Sequence, residues 1–139
     1  TEVTSHGIGI VCTGDNDLEF NSVILPKNTQ VPAKFTNEYC TTVPFQEKLY
    51  IQVTQGEEED LRYVTVIGTA EIEIMPREKI VGIEVTISCD ENSIIHVRVY
   101  DMDLQRDLGE MHIDRVSNLT EEEISKNKQR ISKLDISGE

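Results

Sequence analysis

The residues of this chain best equipped for catalysis or metal binding are its three histidines and three cysteines. Their spacing in the sequence suits neither task. His6, His96 and His112 are scattered through strand-like segments, and none neighbours a Cys or Ser in a nucleophile motif, so they read as ordinary sheet residues. No two of Cys12, Cys40 and Cys89 have metal-ligand spacing, and an odd number of thiols in apolar surroundings argues against a closed disulfide framework. A reducing, cytoplasmic setting is expected. Asp15-Asn16-Asp17 and Asp101-Met102-Asp103 have the carboxylate density of a calcium loop but lack its Gly and distal Glu. Tight turns, in which Asp and Asn bond their own backbone, account for both. Gly7-Ile8-Gly9 lacks the third Gly and the following helix of a dinucleotide site. The run Glu57-Glu58-Glu59-Asp60 reads as a solvated loop. A binding domain rather than an enzyme is expected, with no catalytic residue, metal or cofactor of its own.

The overall charge narrows the choice of partner. The net charge is −13, from 26 acidic and 13 basic residues, and such a surface repels phosphate backbones, so nucleic-acid binding is not expected. No apolar run approaches the ~20 residues that span a bilayer, and no basic segment precedes an apolar one as in a signal peptide. A membrane partner is therefore not expected either. The sequence opens at Thr1, as expected of a processed or excised chain.

Any binding surface must be positioned by β-structure. Of the 139 residues, 16 are Ile, 13 Val and 12 Thr, a weighting that suits a pleated surface and costs rotamer freedom in a helix. Aromatics are only 5%, which leaves Ile, Val and Leu to build the core. Strands are predicted over 6–12, 18–25, 35–43, 49–53, 63–74, 80–89 and 93–101, with a further one over 108–116. Ile83, Val85 and Ile87 against Glu84, Thr86 and Ser88 are the clearest period-two alternation. Asp90-Glu91-Asn92-Ser93 fits a hairpin turn.

The pattern changes after residue 117. Thr120-Glu121-Glu122-Glu123 fits a capping box, with acids that complement a helix dipole. This helix start also explains Asn118-Leu119-Thr120, which formally matches a glycosylation sequon. Ile124, Ile131 and Leu134 form a thin helical stripe. The expected fold is mainly β: a two-layer antiparallel sandwich of about eight strands (1–117), then one C-terminal α-helix (118–139).

A sheet protein with no catalytic constellation binds through its loops and apolar surface, and an extended peptide is a natural ligand for it. A protein-interaction module for a fixed partner has the same composition. Four ordered motifs separate the two. Lys27-Asn28-Thr29 with Pro32 and Lys34, Gln55-Gly56-Glu57, Ile83 to Ile87 with Asp90 and Ile94 to Val97, and Asn118 to Ile124 resemble, in order, segments of DnaK-type 70-kilodalton heat-shock chaperones.

The resemblance implies the substrate-binding β-sandwich of such a chaperone, holding extended hydrophobic segments of unfolded polypeptides, with residues 118–139 beginning a helical lid. It places Ile8 and Ile10 along the groove, and Tyr39, Leu49 and Ile51 around a central hydrophobic pocket. Val11 and Thr42 fall on the two residues that arch over the bound backbone, and Cys40 and Gln46 on hydrogen-bonding positions at the groove edge. It also implies a separate N-terminal ATPase domain using ATP and Mg, and J-domain co-chaperones and a nucleotide-exchange factor as partners. Self-association is expected if the tail around Leu134 and Ile136 enters a neighbour's groove. The sequence departs from the family pattern by extra length around Cys12 to Asp17, by Ser93 where Gly is usual, and by Pro44 and Phe45 in a normally polar loop. If the groove has lapsed, the sandwich is a non-chaperone interaction module.

Overall fold

A computed structural model describes residues 2–114. Eight strands run in chain order: β1 (Ile8–Thr13), β2 (Glu19–Leu25), β3 (Ala33–Cys40), β4 (Lys48–Gln55), β5 (Thr65–Glu73), β6 (Gly82–Cys89), β7 (Ile94–Asp101) and β8 (Arg106–Asp114). They form two antiparallel four-stranded sheets, ordered β2-β1-β4-β5 and β3-β6-β7-β8. The β-sandwich expected from alternation is present. The helix expected over 118–139, the lid start and the apolar tail lie outside the described residues. Among the described residues no helix is long and apolar enough to cross a membrane.

Alternation sets the layers. Leu49, Ile51 and Val53 of the first sheet face Ile83, Val85, Ile87, Ile95, Val97 and Val99 of the second, all buried. The intervening Glu84, Thr86 and Ser88 are only half-buried. Gly9 permits the close approach of β1 to β2, because a Cβ there would overlap the Ser22 carbonyl. The register shifts at that point, between Ile8 and Gly9.

Two expectations change in detail. The third strand ends at Cys40 rather than Val43, because buried Thr41 turns inward: its N–H donates to the Val81 carbonyl and its hydroxyl accepts from the Val81 N–H. The acidic loop is more than a solvated run. The carbonyls of Gly56, Glu58 and Glu59 accept from the side chain and backbone of buried Asn21, and the Glu57 carboxylate accepts from the Gly7 N–H at 2.7 Å. The Thr54 hydroxyl donates to the Asn21 side-chain oxygen, so this polar cluster beneath the loop is satisfied from within.

Candidate functional site

Strand polarity gathers at one end of the sandwich the β1–β2 turn, the loop over 41–47, the loop over 74–81 and the β7–β8 turn. Residues 14–18 form the β1–β2 turn. Gly14 closes its tip with backbone bonds to Leu18 and Asp17, Asp17 takes φ 64°, and the Asn16 side chain accepts from the Leu18 N–H. Asp15-Asn16-Asp17 thus performs the turn chemistry expected of it.

The loop over 41–47 is held on both flanks. Gln46 accepts from the backbone and hydroxyl of Thr42 at 2.9 and 3.2 Å and donates to the Lys48 carbonyl at 2.8 Å. The Phe45 N–H donates to the Arg77 carbonyl at 2.7 Å. Arg77 in turn is gripped by Asp101 at 2.7 and 3.0 Å and by Asp103 at 2.9 Å, with Lys79 also on Asp103. The Asp101-Met102-Asp103 carboxylates are therefore neutralised by the protein's own cations. Hydrogen bonds from Arg77 hold the Asp101 carboxyl below its ordinary range despite burial.

Between these loops lies a trough of about 450 Å³, within the size range of small-ligand and side-chain pockets. Ile10, Leu49 and Ile51 line it from the first sheet, and Ile83 and Val85 from the second. A polar bridge crosses between the sheets at the edge strands, where the Ser22 and Tyr39 hydroxyls lie 2.9 Å apart and the Asn37 amide donates to Tyr39. Burial pushes the Cys12 thiol up to about 11, against the opposing effect of its Ser22 hydrogen bond, and burial likewise raises the Tyr39 phenol. Both stay neutral at physiological pH, so this wall is uncharged. Glu19 and Lys48 supply the charges among the lining residues.

Eight of the nine residues singled out from sequence line this one trough: Ile10, Val11, Tyr39, Cys40, Thr42, Gln46, Leu49 and Ile51. Ile8 does not. It is 1% exposed, pairs with Leu25 and Gln55, and lines a separate cavity toward the other end of the sandwich with Val31 and Ile95. Gln46 has its carbonyl and one amide hydrogen committed to its own loop, which leaves one N–H for a ligand. Sequence reasoning passed over Cys12, Phe20, Tyr50, Ile83 and Val85, which also line the trough. Cys12 and Phe20 are cross-strand partners, a relation that pairing of the hairpin strands would have exposed. Exposed Val43, Phe45 and Tyr50 add apolar surface at or beside the rim.

Known proteins resemble this chain over most of its length. The family model described as "Hsp70 protein" matches residues 1–137. The chain is 35% identical over 106 residues to the chaperone protein DnaK of Mycoplasmopsis synoviae (strain 53), covering 74% of this chain and 17% of that protein. It is 32% identical over 127 residues to the chaperone protein DnaK of Metamycoplasma hominis, covering 90% of this chain and 20% of that protein. The chain thus spans at most about a fifth of the length of these curated relatives.

Proposed function

Because this chain belongs to the Hsp70 family, we propose that its trough holds an extended apolar segment of an unfolded polypeptide, as the substrate-binding sandwich of a chaperone. The observation that carries this reading is the convergence of Ile10, Leu49 and Ile51 with Val11, Tyr39, Cys40, Thr42 and Gln46 on one apolar trough. An aliphatic floor under a hydrogen-bonding rim suits a peptide whose main chain bonds at the edge while one side chain enters the pocket. Burial of a Leu-sized side chain is worth ~1.5–3 kcal/mol.

In the whole protein, an ATPase domain using ATP and Mg²⁺ would set the kinetics of this clamp, J-domain co-chaperones and a nucleotide-exchange factor would be its partners, and residues 118–139 would begin the lid.

Fluorescence anisotropy with labelled heptapeptides tests the proposal. A Leu-centred peptide is expected to bind saturably, and the same peptide with Asp at its centre at least ~10-fold more weakly, the equivalent of the lower end of leucine burial. Equal affinities, or no binding by the folded chain at high micromolar concentration, would replace the clamp with a fixed-partner interaction module.

A further inference from the structure

On the outer face of the second sheet, toward the end away from the trough, the register places His96 of β7 directly opposite His112 of β8. Glu110 stands two residues before His112, on the same face. Its Oε2 lies 3.3 Å from His96 Nδ1 and 3.2 Å from His112 Nε2, and the three ligand atoms all fall within 4.8 Å of one another. On the far side of the His96 ring, Nε2 is 2.9 Å from Asp90 Oδ2. The two imidazoles meet edge to face with centroids 4.6 Å apart.

We propose that His96, Glu110 and His112 form a binding site for a divalent transition-metal ion, with zinc as the best fit. Two neutral imidazoles and one carboxylate are a ligand set zinc accepts, with an open fourth position. Metal–ligand bonds of about 2.0–2.1 Å give a tetrahedron edges of about 3.3–3.4 Å, close to the observed N···O separations. Asp90 is the positioning residue. By accepting the Nε2–H it fixes the tautomer that turns the Nδ1 lone pair toward Glu110 and raises ligand basicity. That arrangement leaves a lone pair and a carboxylate facing each other unless a cation or a second proton stands between them. Arg98, across from Glu110, is paired with Asp107 at 3.2 Å, which offsets its charge. The His112 side chain is 50% exposed, which gives an ion direct access from solvent. A bound ion would staple β7 to β8 and tie both to the Asp90 turn.

Titration of the 139-residue chain with zinc chloride, read by calorimetry and by imidazole ¹⁵N shifts, tests the site. One equivalent is expected to bind, raising the thermal midpoint and shifting both His96 and His112. His112→Ala, at an exposed position the fold does not need, should weaken binding at least ~10-fold. Asp90→Asn should weaken it ~10–100-fold and also redistribute the His96 tautomers in the metal-free chain, which a merely structural role would not do. Cys40→Ser, which removes the exposed thiol, should leave binding unchanged. No binding at millimolar zinc, binding indifferent to His112→Ala, or binding abolished by Cys40→Ser would each overturn the proposal.

Discussion

Leu49→Asp is expected to weaken binding of a Leu-centred peptide by at least ~10-fold while the chain remains folded. Leu49 is 8% exposed and lines the trough beside Ile51 and Ile10. A carboxylate there either draws water into the pocket or meets the incoming side chain with a desolvated charge, and either forfeits the ~1.5–3 kcal/mol of leucine burial. Because Leu49 also belongs to the core, circular dichroism must confirm folding. Leu49→Phe provides a second reading: it fills the pocket without adding charge and should likewise exclude the peptide's central side chain. Unchanged affinity in a folded Leu49→Asp chain would place binding elsewhere.

Asp101→Asn is expected to cost ~3 kcal/mol of stability in urea denaturation, because it removes the buried carboxylate of the Arg77 guanidinium and leaves it only the more exposed Asp103. The Asp101 side chain is 1% exposed and that of Arg77 12%, so solvent does little to screen the loss. Asp101 also accepts from the backbone N–H groups of Asp103 and Leu104 at 3.0 and 2.9 Å, which an Asn oxygen can still do. The cost therefore falls mainly on the charge. Asp103→Asn, at a more exposed carboxylate, should have a much smaller effect. The pH dependence has a definite sign. The folded-state pKa of Asp101 lies below the ordinary carboxyl value, so its contribution is complete above about pH 4 and declines as pH falls through the folded value. The gap between wild type and Asp101→Asn should accordingly narrow below about pH 4. Since Arg77 also holds the Phe45 N–H at the trough's rim, the same variant should release peptide faster.

The two sheets could be read from alternation, because β4 to β8 bury alternate residues over much of their length. Ile83, Val85 and Ile87 are buried as their spacing implies. Strand ends were less legible where polar residues decide them. Thr41 ends β3 through bonds to Val81, forty residues away in the chain. Leu61–Tyr63, expected partly within a strand, is a 3₁₀ turn capped by the Asp60 side chain. In the site, family resemblance picked out eight residues of the trough but also Ile8, a core residue that lines the cavity toward the other end of the sandwich. The Arg77–Asp101 pair and the His96–Glu110–His112 cluster depend on which strands become neighbours, and local spacing carries no trace of that. Histidines that look scattered along the chain meet only once β7 pairs with β8.

The most direct test of the central claim is methyl NMR of the 139-residue chain titrated with an unlabelled Leu-centred heptapeptide. The account predicts saturable shifts at Ile10, Leu49, Ile51, Ile83 and Val85, with the Ile113 methyls near the other end of the second sheet unmoved. Shifts confined to residues outside the trough, or none at saturating peptide, would contradict it.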